Sequence, residues 1–415
     1  MRAILPSIAA LLLAVVILTL GNGLLGILIP FRAQGEGFST LAIGLIGSGF
    51  FIGYALGCFG TPHLVRRVGH IRSFAVLAAL FAVTTLLLVL LMHPLTWVFI
   101  RLLGGFCSAG LAMIIESWLN EKTDAANRGA VFSLYMILNF LGVTAGQFLL
   151  GSGDPSGIML FMVATIFVLL SLVPVSLTLS PQPQPLTAVR LDLAGLYRTS
   201  PVALVGVLCI GLANSAYGAM GPAFAHTAGM TARDVALFMN AALVGGALLQ
   251  WPLGWLSDRM DRRYVLLLVC LLGGLATLGL FATPASRHAL LTLQALFLGG
   301  FIFSTYSLCI AHANDHVSGH NFVTLSGSLL LVFAVGASFG PAAASLVMAR
   351  FGAEYLFVYV GAVYLFFALF TLQRIITRAG APEALRTAFL PTPVRTTPES
   401  YQLDPRADEN SGGLS

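Results

Sequence analysis

The chain has 415 residues, of which 58% are hydrophobic and only 9% charged, whereas a soluble domain carries about 25% charged residues. Such a chain has too few polar residues to cover itself in water, so its solvent is lipid and a freely soluble enzyme or regulator is excluded. The formal net charge of +5 does not point to nucleic acid, because the basic residues are scattered over short loops and a tail, with no basic face and no nucleic-acid motif.

In chain order, the first apolar run, Ile4–Ile29, exceeds the signal-peptide core of about 7–15 residues and reads as a retained spanning helix. Runs of about 20 apolar residues, the length needed to cross a bilayer, follow over 40–62, 71–92, 95–117, 129–150, 157–179, 201–224, 233–256, 264–283, 288–311, 321–349 and 353–375. The expected fold class is therefore an all-α integral membrane protein with twelve transmembrane helices in two six-helix bundles, 1–179 and 201–376. Between them Ser180–Ser200, opening Ser-Pro-Gln-Pro-Gln-Pro, is polar and proline-rich and reads as a linker. Residues 377–415 are polar and Pro/Thr-rich and are expected to form a disordered tail.

Lys and Arg set the orientation. With the N-terminus in the cytoplasm, sixteen of the twenty-one fall on the cytoplasmic side and only Arg32, Arg233, Arg287 and Arg350 on the other. Both termini are thus expected inside, in a multi-pass protein of the cytoplasmic (inner) membrane. The five cysteines lie in apolar stretches without metal-ligand spacing and read as small buried hydrophobes. No P-loop, G-x-S-x-G or H-E-x-x-H occurs. The reading is of a non-enzyme without cofactor or metal, a monomer whose partners are the lipid bilayer and a small-molecule substrate and whose energy comes from a gradient, most simply of protons.

The two halves align at an offset of about 192 residues: Asn22 and Pro30 match Asn214 and Pro222, Gly53 matches Gly245, and Arg66-Arg67 matches Asp258-Arg259. Six spans per half keep the halves in one orientation, which makes this a parallel repeat about the membrane normal.

Ionisable residues inside spans are functional candidates by default. Arg101, in the fourth span, carries a guanidinium that does not deprotonate, so it needs an anion or strong acceptors. Asn22, eight residues before Pro30, and Arg101, seven after Pro94, both lie roughly 10–12 Å below the outer boundary. Asn214 shares that depth by the repeat and Gln294 by its position six residues after His288. Lone amides in spans also serve as interhelical hydrogen bonds. Glu116 is about 22 Å along the axis from Arg101, too far to pair. It reads either as an anchor of a cytoplasmic gate, bonding Arg66, Arg67 or Arg128, or as a proton carrier. His312, at the end of the tenth span beside Asp315, is a coupling candidate because histidine titrates near neutral pH, or an interfacial histidine bonded to backbone. His312, His316 and His320 are four apart, but Gly319 breaks the helical face, which argues against a metal.

The loop after the eighth span reads Gly254-Trp255-Leu256-Ser257-Asp258-Arg259-Met260-Asp261-Arg262-Arg263. With the twelve spans and the 6+6 repeat, it resembles the G-x-x-x-D-R-x-G-R-R motif of the major facilitator superfamily, departing at Asp261. The first copy, Pro62 to Arg72, is degenerate: it keeps Gly69 but has Arg66 where the family has an acid. The runs Glu116-Ser117-Trp118-Leu119-Asn120-Glu121, Leu249-Gln250-Trp251-Pro252-Leu253-Gly254 and Gly336-Ala337-Ser338-Phe339-Gly340-Pro341 resemble the YcaD-like branch of that superfamily.

The resemblance covers residues 1–376 and implies a secondary transporter working by alternating access. In that fold spans 1, 4, 7 and 10 line a cavity, so it implies a substrate-binding layer of Asn22, Arg101, Asn214 and Gln294, with Tyr217. Arg101 matches a fourth-span arginine linked to proton coupling, and the pattern Glu116 to Arg128-Gly129 resembles inner-gate salt bridges. Arg66, Arg67, Gly69, Glu116, Arg128, Gly254, Asp258, Arg259, Arg262, Arg263 and Asp315 are the expected cytoplasmic gate; Arg101, Glu116 and His312 are the coupling candidates. Superfamily habit leans towards efflux by proton antiport over import. A membrane solute sensor that kept the fold and lost turnover is the alternative.

Overall fold

Twelve helices among the described residues are long and apolar enough to cross a membrane. The computed structural model describes residues 5–124, 127–177, 193–316, 322–377, 389 and 397–401, and no strand occurs among them. Most of the expected linker, most of the expected tail, and His320 lie outside the described residues.

In chain order the helices are α1 (Leu5–Gly35), α2 (Thr40–Val68), α3 (His70–Leu90), α4 (Pro94–Lys122), α5 (Arg128–Phe148), α6 (Met159–Leu170), α7 (Leu172–Ser176), α8 (Leu193–Thr199), α9 (Pro201–Thr227), α10 (Ala232–Arg259), α11 (Arg262–Ala282), α12 (His288–Asn314), α13 (Phe322–Phe351) and α14 (Tyr355–Thr377). Their starts follow from local chemistry. Pro94 and Pro201 sit in the first turn, where a missing N–H costs nothing. Thr231 and Asp234 form a capping box: the Asp234 N–H donates to Thr231 Oγ1 at 3.3 Å and the Thr231 N–H to Asp234 Oδ2 at 3.2 Å.

Two elements differ from the expectation. The sixth span is broken into α6 and α7 at Ser171, because Pro174 has no N–H to donate to the Leu170 carbonyl one turn back. The segment read as a linker ends in α8, whose Leu196 is buried. In addition, α4 runs on to Lys122, which sets Glu116 a further turn inside the helix.

The chain divides into two compact units. The first comprises Met1–Ile29, Gly49–Arg190 and Thr396–Ser415. Its α2 and α4 pack backbone to backbone: a side chain on Gly53 would collide with the Leu102 carbonyl, and one on Gly105 with the Phe50 carbonyl. Helix α5 approaches α1 likewise, Gly146 lying against the Leu20 carbonyl. Small residues allow such contact in a bilayer, where dispersion rather than water exclusion drives association.

The second unit comprises Pro30–Ser48 and Leu191–Arg395. It uses the same device at repeat-related places. Gly245 lies on the Leu296 carbonyl and Gly299 on the Ala242 carbonyl, joining α10 to α12, while Gly340 lies on the Leu212 carbonyl, joining α13 to α9. The α1–α2 segment of this unit is held in it by Phe31, edge-on to the His226 ring at 4.6 Å, and by Ser48, whose Oγ accepts from the Ala342 N–H at 3.2 Å.

Candidate functional site

In the first unit the close approach of α2 to α4 carries Phe50 under Arg101. The guanidinium carbon sits 4.1 Å from the ring centroid, a cation–π contact that gains strength where water is excluded. Asn22 is half-buried on α1, between Gly21, which faces α6, and Gly23, which lies against the Val143 carbonyl of α5.

At the arginine-rich end of the same unit, Glu116 is 1% exposed. The Tyr135 hydroxyl of α5 donates to its Oε1 at 2.6 Å, and the Thr397 hydroxyl of the C-terminal segment donates to its Oε2. Thr397 leads into a single 3-10 turn, Pro398–Tyr401, that packs on α4. Beside Glu116, Ser117 Oγ lies 3.4 Å from His70 Nε2, and the Trp118 ring lies 6.0 Å from the His70 ring. Arg66 and Arg67 are exposed in the last turn of α2, where cations meet the negative end of the helix dipole. Arg128 opens α5 and is half-buried. Gly69 has φ of 84°, so it turns the chain from α2 into α3 in a region that side chains avoid.

In the second unit Asn214 and Tyr217 are buried on α9, with the Tyr217 ring 5.9 Å from that of Phe238 on α10. The Tyr217 hydroxyl is buried and has no hydrogen-bond partner among the described residues. Gln294 of α12 turns to the end of α11, where its Oε1 accepts from Thr283 Oγ1 at 3.0 Å. Gln250 of the Leu-Gln-Trp-Pro run crosses from α10 to α12, its Nε2 donating to Ser307 Oγ at 2.7 Å.

The loop motif after α10 forms a connected polar cluster. Arg262, 2% exposed, donates from Nε to Asp315 Oδ2 at 2.7 Å and from Nη1 to Ser257 Oγ at 2.8 Å, and its Nη2 lies 3.2 Å from Asp258 Oδ1. Asp258 also accepts from the Phe389 N–H, at 3.0 Å to Oδ1. Gly254 lies one turn before it, flush against the Phe389 ring, which any side chain there would strike. The motif's glycine and its acid therefore hold one residue of the C-terminal segment between them.

Asp261, the departure from the family pattern, is the N-cap of α11 and accepts from the Arg263 N–H at 3.0 Å and from Arg263 Nη2 at 2.6 Å. Burial alone would push its carboxyl up; the bonds and charge of Arg263 outweigh that and hold it below the usual range. Asp261 thus takes at α11 the N-cap position that Gly69 takes at α3, but with φ of −58° and a side-chain cap where Gly69 has a positive φ and none. Arg259 stacks on Trp255 at 3.6 Å. His312 is buried, its ring 4.6 Å from that of His316, whose Nδ1 donates to the His312 carbonyl at 2.8 Å. No group of three metal-ligating side chains occurs among the described residues.

Sequence reading missed Tyr135, Thr397, Glu399, His70 and Phe389. The first four gather around the Glu-Ser-Trp run, and an aromatic hydroxyl in α5 or a Thr-Pro-Glu-Ser run in a tail gives no periodic signal.

The Major Facilitator Superfamily model matches residues 11–328. Similar proteins include the uncharacterized MFS-type transporter YcaD of Salmonella typhi, 27% identical over 372 residues and spanning 88% of this chain and 95% of the relative. The YcaD protein of Escherichia fergusonii is 26% identical over 369 residues, spanning 88% and 94%. Among solved structures the nucleoside transporter NupG superposes with a TM-score of 0.77 at 13% identity, covering 89% of this chain and 99% of that one. A D-xylose–proton symporter gives 0.70 at 15% identity, covering 88% and 97%. At these identities the structures share the fold alone.

Proposed function

The chain belongs to the major facilitator superfamily and is a membrane transport protein rather than an enzyme, and from that premise we propose a proton-coupled secondary transporter that exports a small solute by alternating access. The reading places it in the cytoplasmic membrane with both termini inside, as the Lys and Arg bias supports. Export rests on the family resemblance alone.

The observation that carries the proposal is the pair of ionisable side chains within one span, Arg101 and Glu116 of α4. Arg101 is a permanent cation held against Phe50, and it suits a solute bearing an anionic or carboxylate group. Glu116 is a buried carboxyl inside a membrane helix, the kind of group that proton relays use. Asn22 in the first unit and Asn214 and Tyr217 in the second are assigned to solute contact, Tyr217 through its buried hydroxyl. Gln294 is assigned a lesser part, because its carbonyl is engaged by Thr283. Arg262, Asp258 and Asp315 are assigned to the cytoplasmic gate, supported by their hydrogen bonds, with His312 adjoining them.

Two experiments on the purified protein test this. A thermal-shift screen against small solutes finds the ligand class, since a ligand at 100 times its Kd adds about 2.7 kcal/mol to the folded state. The shift is expected for carboxylate-bearing solutes and to vanish in Arg101→Ala. Proteoliposomes with an internal pH dye then test whether that solute moves protons, and whether Glu116→Gln uncouples it. A solute that binds but never crosses would support the sensor reading; flux without proton movement would remove the coupling.

A further inference from the structure

The C-terminal segment brings a second carboxyl to Glu116. Glu399 is 3% exposed, and its Oε1 is buried with no hydrogen-bond partner among the described residues. Thr397 and Ser400, on either side of it, are also buried, and the turn is closed by the Ser400 N–H and Oγ, both donating to the Thr397 carbonyl, at 3.1 and 2.8 Å. Pro398 favours that turn by fixing φ. Glu116 thus has two hydroxyl donors, from Tyr135 and Thr397, while Glu399 beside it has an oxygen with none. An unpartnered oxygen on a buried carboxyl within the field of another carboxyl is an arrangement that a proton taken up by the first relieves.

We propose that the C-terminal segment 397–401 is an intramolecular ligand of the α4 carboxyl, docking through the buried Glu116–Glu399 pair with uptake of a proton, so that it covers Glu116 in acid and leaves it as the pH rises. This regulatory device is separate from the transport reading and holds whether or not Glu116 carries a proton during turnover.

Burial, and then the charge of Glu116, push the Glu399 carboxyl from 4.5 up to about 8. A group whose value is raised in the docked state favours docking fully below its free value, and that contribution fades as the pH climbs through the docked value. The window therefore runs from about 4.5 to about 8. Within it the docking constant falls about tenfold per pH unit. Among the described residues the other titratable groups around Glu116 are Tyr135 on α5 and Cys58 on α2, a phenol and a thiol with ordinary values above the window, and His70 on α3, an imidazole 3.4 Å from Ser117 Oγ whose ordinary value lies inside it. The cation of α5 is Arg128, two turns before Tyr135, about 10 Å along the axis.

Hydrogen–deuterium exchange of the full-length protein tests the proposal, with labelling times scaled for the intrinsic pH dependence of exchange. In the native chain the peptide covering 397–401 is expected to be protected at pH 6 and to lose protection at least tenfold by pH 8.5. In Glu399→Gln, a neutral isostere, protection should persist at both values. In Thr397→Val it should fall at both, because the segment's hydroxyl donor to Glu116 is gone and only its backbone donors remain. Equal protection of the native chain at the two pH values, no protection at pH 6, or a Glu399→Gln chain as pH-sensitive as the native one would each overturn the proposal.

Discussion

The Tyr135 hydroxyl donates to Glu116 Oε1 over 2.6 Å, tying α5 to the one carboxyl buried within α4. A hydrogen bond to a charged group contributes about 1.5–3 kcal/mol, and one removed from a buried acceptor leaves that acceptor's desolvation uncompensated. Tyr135→Phe is therefore expected to lower stability by about that amount, read as a fall in Tm of the detergent-solubilised protein. In a Glu116→Gln background the same change should cost clearly less. Equal costs in the two backgrounds would mean that Tyr135 acts through packing alone.

Arg262 and Asp315 form a salt bridge whose side chains are 1% and 2% exposed. Breaking such a pair strands a buried charge at a cost of about 3–5 kcal/mol, whereas replacing both partners by apolar groups of similar size is often neutral. Asp315→Ala is expected to destabilise by less than that, because Asp258 Oδ1 remains 3.2 Å from Arg262 Nη2, and Arg262→Met with Asp315→Leu to recover most of the loss. Thermal unfolding of the three variants separates the loss of a charge partner from the loss of volume.

Asp261 carries a pH dependence of definite sign. Arg263 holds its folded-state carboxyl below the ordinary 3.8, so its stabilisation is complete above that value and is lost as the pH falls through the lower, folded-state value. Melting curves from pH 7 down to pH 3 should show the native chain losing stability at the acid end relative to Asp261→Asn, which keeps a capping oxygen but has no charge to lose. Asp261→Ala removes the N-cap as well and should cost about 0.5–2 kcal/mol even at pH 7.

The twelve spans, the repeat and the place of the loop motif were legible because each leaves a local or periodic mark: apolar length, a fixed offset, a run of charges. The glycines of α2 were legible as small faces, but not that Gly53 meets the Leu102 carbonyl, nor that this carries Phe50 under Arg101. Arg66, Arg67 and Arg128 were natural partners to expect for Glu116 because opposite charges attract. Its oxygens accept instead from the hydroxyls of Tyr135 and Thr397 and from the backbone of Thr397 and Ser400, donors that lie up to 284 residues away in a segment with no periodicity to read. The break at Ser171 was not read, although Pro174 carries its cause, since proline removes the helical bond to the residue four before it and a run scored on apolar length alone passes over that.

Gly254 and Asp258 make a last prediction, on the C-terminal segment where it meets the second unit. The Phe389 ring lies flush on Gly254, and its N–H is bound by Asp258 one turn further along α10. A leucine at position 254 would fill the ring's place from the helix side, and its atoms cannot move away because they start from the helix backbone. Gly254→Leu should therefore displace Phe389, and hydrogen exchange at the Phe389 amide should rise as its bond to Asp258 is lost. Asp258→Ala should raise the same exchange by removing the acceptor while leaving the ring's seat intact, so a weaker effect is expected. Gly254→Leu would leave the Arg262–Asp315 bridge in place, and a Tm close to that of the native chain would separate release of the segment from unfolding of the unit. If exchange at Phe389 is unchanged in Gly254→Leu, the absence of a side chain at that position serves α10 packing and not the C-terminal segment.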